Sequence, residues 1–505
     1  MTSNKLLLPF AALILAFTTI ISSCNSESTT VLPYVEASSV AVNGFSLKAD
    51  KKIVSGLDSV FFSIDLERGL IFNADSLPKG TKTTALIPII SLPSSVIKAT
   101  ITMDGGTHRT GSVDYLKNTD DSIDFSGRVA LELISAEGNS KTYQIKVNVH
   151  QADPDTLWWG ETAISTLPSR LSSPKEQRTV DTGTYSVASL IQESDDSYTF
   201  ATSDDAFTGV WTKQQITLPF TPQVRTLTYC DGKFYMLAAD GTLATSDTGY
   251  DNWLLSEQLP WRNILGAYNG SVIGITDNAG TLEFVSYPAG AVSGQLPDGF
   301  PVEGYSTALT LTSKWWQKPM ILIYGGKDAI GNYSANVWAY DGYKWAVISN
   351  GDLPALSGAA IIPYFAFSKG KQSWTFNEYS ILMMLGGRDK DGNANKSMYI
   401  SYDNGVCWQK ASDELQLPAF IPGMHDLDAI VASTPMSGDF EPKGWSDAIT
   451  PALPPMSRIN YSTDGYKVNW DCPFIYLYGG RNDSGALYNS VWRGVIRRLT
   501  FTPLI

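Results

Sequence analysis

The sequence predicts an all-β chain in two parts: a β-sandwich, then a longer repetitive region that closes on itself. Three observations carry this. The composition is β-like, since the 505 residues include 14 Trp, 24 Tyr and 20 Phe, with 42 Gly and 26 Pro to supply turns; aromatic residues favour strands. A glycine pair recurs at a fixed distance before an aromatic. A Trp recurs at a similar distance before a Leu-Pro. Only 17% of residues are charged while 43% are hydrophobic, which excludes a disordered chain. A formal charge of −13 with no basic tract excludes wrapping of nucleic-acid phosphates. Three His and four Cys are too few for a large metal cluster or a disulfide scaffold, and no cofactor is expected.

The first residues read as an address. Lys5 precedes Leu6–Ile21, a 16-residue stretch without charge, shorter than the roughly 20 residues a membrane span needs. It ends in Ile21-Ser22-Ser23-Cys24, which resembles the lipobox of bacterial lipoproteins, with Ile where Leu is commoner. That resemblance implies removal of residues 1–23 and lipidation of Cys24. Residues 24–33 would then be a polar tether, and the chain would be attached to a membrane rather than span it. The expected location is the cell envelope, at the outer membrane, facing the periplasm or the surface. Cys230, Cys407 and Cys472 remain, and buried free thiols are the expectation for them.

Residues 34–152 form the first block. Strand-like runs occur at Val60–Leu66, Ala85–Leu92 and Ser95–Met103. Val129–Ile134 and Tyr143–Val149 flank Gly138-Asn139 and read as a hairpin. The pattern resembles Ig-like or cadherin-like sandwiches of bacterial surface proteins, which implies a spacer or adhesion unit; without Cys there is no inter-sheet disulfide. His108 and His150 have no ligand partners at useful spacing. Asp153-Pro154-Asp155 marks the boundary.

Residues 156–505 are repetitive. Ile321–Gly326 leads to Trp338, Leu382–Gly387 to Tyr399 and Ile475–Gly480 to Trp492, each aromatic 12 residues after the second Gly. Each pair is followed by Lys327-Asp328, Arg388-Asp389 or Arg481-Asn482, then by Gly331, Gly392 or Gly485. This resembles kelch repeats, which implies four-stranded blades of a β-propeller. The second ruler runs from Trp211 to Leu218-Pro219, Trp253 to Leu259-Pro260, Trp345 to Leu353-Pro354 and Trp408 to Leu417-Pro418, with Leu296-Pro297 lacking its Trp. Trp158-Trp159 before Leu167-Pro168 is a further copy, and no such strand follows the last glycine pair. Leu157–Thr166 is therefore expected to supply the outer strand of the final blade, which removes the open edge. Six Leu-Pro marks give six blades; seven is the alternative count. Ser401–Trp408 matches the S-x-D-x-G-x-x-W turn of sialidase-type propellers, with degenerate copies at Ser246–Trp253 and Asp341–Trp345. The reading is structural, not catalytic.

The layout as a whole resembles an uncharacterised family of bacterial surface lipoproteins, which brings no activity with it. Copper chemistry of the galactose-oxidase kind needs two His, and only His425 lies in this region; zinc hydrolysis and a nucleophile elbow fail likewise. Asp389–Asn395 alternates oxygen residues as calcium loops do, but Gly392 falls at the wrong place and Ile400 stands where a bidentate Glu belongs, so a plain turn is expected. Two ligand surfaces remain. Lys327, Arg388 and Arg481 occupy equivalent loops and could cluster around an anion such as a uronate or sulfate. On the opposite face, loops carrying Trp315, Trp316, Trp374 and Trp445 or Trp470 could stack on sugar rings. The expectation is a monomeric, lipid-anchored envelope protein that binds a glycan or a surface protein. The alternative is a glycoside hydrolase or lyase acting on acidic glycans.

Overall fold

The structure, a computed structural model, describes residues 38–73, 76–149, 155–183, 186–257, 260–290, 293–312, 318–349, 351–369, 376–439, 460–461, 467–496 and 500–501. The chain divides into two compact units, one of residues 1–73 with 82–147, the other of residues 74–81 with 148–505. Among the described residues, helix is limited to two single 3-10 turns, Leu57–Ser59 and Asp413–Leu415. No described helix is long and apolar enough to cross a membrane.

In the first unit, Arg128–Ser135 shows why its residues form a strand: Val129, Leu131 and Leu133 are buried on alternate positions. It pairs antiparallel with Ser140–Lys146 across the expected Gly138-Asn139 turn. These two sit inside a six-stranded sheet ordered Ser63–Asp65, Leu70–Phe72, Ser140–Lys146, Arg128–Ser135, Val96–Asp104 and Gly111–Asp114. The pairing of Leu70–Phe72 with Ser140–Lys146 is parallel. A separate two-stranded sheet joins Gly44–Leu47 to Pro88–Ser91. His108 is exposed, and its backbone N–H, with that of Arg109, is held by the fully buried Asp124 carboxylate at 2.7 and 2.8 Å.

The second unit holds, among its described residues, six sheets met in chain order. The first runs Glu176–Gly183, Ser186–Gln192, Tyr198–Ser203, Thr212–Ile216; the second Pro222–Cys230, Lys233–Ala238, Leu243–Ser246, Leu254–Leu255. The third has Trp261–Tyr268, Ser271–Asn278 and Thr281–Tyr287, with a bridge from Glu283 to Gln295 at its outer edge. In the fourth, Glu303–Tyr305 and Leu309–Thr312 both pair with Pro319–Lys327, followed by Val337–Tyr340 and Trp345–Val347. The fifth is Ser357–Lys369, Phe376–Arg388, Tyr399–Ser401 and Gln409–Lys410, with Thr500–Phe501 paired parallel to the free side of Ser357–Lys369. The sixth is His425–Asp439, Lys467–Arg481, Val491–Ile496 and then Leu157–Trp159, with Asn460–Tyr461 also paired to Lys467–Arg481.

That last pairing sets Gly494 opposite Trp159, Val495 opposite Trp158 and Ile496 opposite Leu157. Further bonds continue it: Ile164 N–H donates to Val491 O at 2.9 Å, Val491 N–H to Ser165 O at 2.8 Å, and Leu167 N–H to Asn489 Oδ1 at 3.1 Å. The core lies between sheet faces. Leu265, Ile273 and Ile275 of the third sheet pack with Ile321, Ile323 and Trp338 of the fourth. Met383 and Leu385 of the fifth pack with Ile475, Leu477 and Trp159 of the sixth. Each such side chain contributes about 1.5–3 kcal/mol by leaving water.

The glycine pairs end the second strand of the last three sheets because only glycine fits. Gly325 has φ 65°, and a Cβ there would lie 2.4 Å from Leu356 O. Gly386 repeats this with φ 70° and a clash with Leu427 Cδ2 at 2.5 Å. The left-handed backbone lets the strand end tuck against the linker entering the next sheet. The Asp328 carboxylate then caps the turn by accepting from Ile330 and Asn332 N–H at 3.0 and 2.9 Å. Asp389 does the same for Asp391 and Asn393, at 2.9 Å each. Asp389 thus has the geometry of a turn cap, and no described group of three or more acidic, His or Cys side chains could hold a metal. In the Ser401–Trp408 turn, Gly405 N–H donates to Ser401 Oγ at 2.9 Å, Cys407 N–H to Asp403 Oδ1 at 2.8 Å and Trp408 Nε1 to Gly405 O at 2.9 Å.

Candidate functional site

The first strands of the six sheets enclose a cavity of about 810 Å³ whose lining includes residues of all six, among them Arg178, Arg225, Asn263, Tyr305, Ile361 and Asp428. Because the innermost strands run side by side, side chains from remote sequence positions meet across it. Asp428, 2% exposed, is the hub. Its Oδ1 accepts from Arg178 Nη1 at 2.7 Å, and its Oδ2 from Arg225 Nη1 at 3.1 Å and from Thr179 N–H at 2.7 Å. Arg178 Nη1 also reaches Thr307 Oγ1 of the fourth sheet at 3.0 Å, so the guanidinium links the first, fourth and sixth sheets. Arg225 Nη1 donates as well to Gln177 O at 2.9 Å. Burial pushes the Arg178 guanidinium below its ordinary value, against the pull of Asp428. Arg225 suffers the same burial, yet Asp428 and Asp426 hold it above.

At one end of this cavity His425 and Asp426 form a pair. His425 is 1% exposed; its Nδ1 lies 2.7 Å from Asp426 Oδ2 and its Nε2 3.2 Å from Asn482 O. Burial alone would raise the Asp426 carboxyl, but the His425 hydrogen bond and the charges of Arg225 and Arg388 bring it to about 2. Asp426 has φ 53° and presses on Gly358, where a Cβ would meet Asp426 Oδ1 at 2.4 Å. The Tyr305 hydroxyl is raised by burial and donates to Ile264 O at 2.8 Å. Toward the other end, Asp181 is raised by burial while it accepts from Gly183 N–H at 2.9 Å.

The basic trio expected from the repeats lies at equivalent register positions: Lys327 opposite Glu303, Arg388 opposite Ser357, Arg481 opposite His425. Arg481 lines the cavity, whereas Lys327 and Arg388 are not among its described lining residues. Lys327 Nζ lies 3.4 Å from Glu303 Oε1 and 5.3 Å from the Tyr333 ring centre. Arg481 Nη2 lies 3.6 Å from Glu176 Oε1 and donates to Lys175 O at 2.9 Å. Arg388 contributes its field to Asp426.

Residues 153–504 match the model of the DUF6242 beta propeller domain, and residues 37–147 that of the N-terminal domain of DUF6242, a domain of unknown function. The chain belongs to the DUF6242 family. Its second unit is thus a β-propeller domain in an all-β chain. A search of curated proteins returned no match. Among solved structures, this DUF6242 chain is similar to YjhT at 11% identity and TM-score 0.38, over 65% of this chain and 96% of that one. It is similar to the SapL1 lectin in complex with alpha methyl fucoside at 12% and 0.33, over 64% and 97%. It is also similar to AofleA from Arthrobotrys oligospora at 12% and 0.33, over 69% and 99%. Likeness at this level carries no argument about what a DUF6242 protein binds.

Trp315, Trp316, Trp374 and Trp445 lie outside the described residues, as do Cys24 and His150. The residues that sequence reasoning missed in this DUF6242 propeller are Arg178, Arg225 and Asp428. One signal was available: Val224-Arg225-Thr226 and Leu427-Asp428-Ala429 each place a charge inside a strand whose neighbours are apolar or small, where a charge persists only if paired.

Proposed function

We propose that this protein is a lipid-anchored binding protein of the cell envelope, held at the outer membrane through Cys24 after loss of residues 1–23. In this reading the 34–152 block is the spacer, and the propeller is a six-bladed, kelch-like ring closed by Leu157–Trp159 that captures a glycan. The observation that carries the reading is the cavity of about 810 Å³ lined by residues of all six sheets, with charged and apolar side chains together on its walls, in the size range of small-ligand sites. The Ile21–Cys24 segment supports the anchor.

The titratable groups His425, Asp426 and Tyr305 beside the cavity are held by contacts within the fold. Both ring nitrogens of His425 face oxygens at 2.7 and 3.2 Å, and Asp426 is tied to that imidazole. The Tyr305 hydroxyl is engaged with a carbonyl. The cavity lining also holds the carboxylates of Glu176 and Asp181.

The test is a glycan array probed with the chain from residue 25 onward, wild type beside Arg481→Ala. Retention of one glycan class, weakened by Arg481→Ala, supports the reading; retention of no glycan contradicts it. The anchor is tested separately with an alkynyl fatty acid in a bacterial host that lipidates proteins. Label and membrane fractionation should vanish in Cys24→Ser, and persistence of both would refute lipidation.

A further inference from the structure

A second cavity, of about 480 Å³, lies at the seam where the closing strand meets the first sheet; its lining includes Trp158, Thr162, Ser165, Phe207, Thr208 and Arg493. Arg493 differs from the channel arginines. Arg178 and Arg225 share Asp428, and Arg481 faces Glu176. Arg493 donates from Nη1 to Phe207 O at 2.9 Å and lies against the buried Tyr476 hydroxyl, where its charge opposes the upward push of burial, but no ion pair joins it to a described acid. Its guanidinium carbon lies 4.4 Å from the Phe207 ring centre and 5.3 Å from that of Phe474. Its Nε is buried without a partner, and so is the Ser165 hydroxyl. The acid nearest in sequence to Phe207, Asp205, spends its Oδ1 on the Phe207 N–H at 2.9 Å.

A guanidinium fixed on two aromatic rings and lacking an acid is a preorganised carboxylate receptor, because the planar fork donates to two oxygens at once. Around it stand the half-buried Trp158 and the hydroxyls of Thr162, Thr208 and Ser165. An indole offers a flat apolar face and one donor, which suits the face of a pyranose ring. We infer that this seam is a binding site for a carboxylate-bearing sugar, a uronate residue, with Arg493 taking the carboxylate and Trp158 the ring. The inference rests on the glycan-binding reading above but assigns the ligand to a different place from the central cavity. A ligand held there touches the closing strand through Trp158 and the sixth sheet through Arg493, so it also braces the ring; ligands that bind only the folded state raise its melting temperature.

The experiment is calorimetric titration of the mature chain with trigalacturonate and with its uncharged counterpart galactotriose. Trigalacturonate is expected to bind at least about tenfold more tightly than galactotriose. Arg493→Met and Trp158→Ala are each expected to weaken it at least about tenfold, and Arg493→Lys to give an intermediate loss. Circular dichroism checks that each variant folds, and the half-exposed Trp158 supplies the informative variant if Arg493→Met does not. Trigalacturonate binding that survives Trp158→Ala and any folded Arg493 variant overturns this site. So does failure to bind trigalacturonate by a protein that retains other glycans on the array; either result leaves the wider reading standing. Failure of the wild type to retain any glycan overturns both.

Discussion

Replacing Asp428 by Ala strands two guanidinium groups. In the folded protein the Asp428 carboxylate, 2% exposed, receives Arg178, Arg225 and the Thr179 N–H at 2.7, 3.1 and 2.7 Å. Without it the two arginines, 11% and 29% exposed, face each other with no anion between them. Removing one partner of a buried ion pair costs about 3–5 kcal/mol. Arg225 is partly solvated and keeps its bond to Gln177 O, which brings the estimate to about 3 kcal/mol. An unfolding unit of about 350 residues has an unfolding entropy of about 0.7 kcal/mol/K, so the midpoint should fall by about 4 °C. Differential scanning calorimetry of the mature chain reads this directly. Combining Asp428→Ala with Arg178→Met and Arg225→Met should recover most of the loss, since apolar replacement of a whole buried ion cluster is often neutral. An Asp428→Ala midpoint within about 1 °C of wild type, or no recovery in the triple variant, would refute the reasoning.

Other predictions follow from local geometry. Gly325→Ala must place a Cβ 2.4 Å from Leu356 O at φ 65°, and should cost about 2–3 kcal/mol by urea unfolding. Gly331→Ala, with φ 89° and nothing within 4 Å, should cost about 1 kcal/mol. Trp408→Phe removes the indole bond to Gly405 O and should cost about 1 kcal/mol. Asp426 has an ordinary value of 3.8 and is lowered to about 2 in the fold. The stability this shift supplies is present above 3.8 and disappears as pH falls toward 2. The urea midpoint of Asp426→Asn should therefore change less than that of wild type across that window.

What was legible in the sequence was what one residue type alone can satisfy. The glycine pairs stand out because their backbone is left-handed and an added Cβ would collide, so spacing to the next aromatic survives in all three copies. The closing strand was legible because Trp158-Trp159 stands before Leu167-Pro168 as other outer-strand Trp residues stand before theirs, and Trp158 does pair with Val495. The Gly138-Asn139 hairpin is local and was visible for that reason. The parallel pairing of Leu70–Phe72 with Ser140–Lys146 was not, since nothing nearby in sequence announces a remote parallel partner. The channel hub was hidden the same way: Arg178 and Asp428 are 250 residues apart, and only the meeting of the first and sixth sheets at the cavity brings them together. The basic trio shares a repeat position, but position along a strand does not say which side chains reach the axis, and of the three only Arg481 is among the described lining residues of the cavity. The acid-free Arg493 carries no repeat signal, because its isolation is set by what surrounds it in space.

Both proposed ligand sites need the ring to be closed by the pairing of Leu157–Trp159 with Gly494–Ile496. Hydrogen–deuterium exchange of the mature chain measures this most directly. The account predicts that amides of residues 157–159 exchange as slowly as those of their partner strand Val491–Ile496, and that the Val491–Ile496 amides speed up in a variant lacking residues 25–160. Exchange of residues 157–159 at the rate of an open loop, with Val491–Ile496 still protected, would contradict the closed ring.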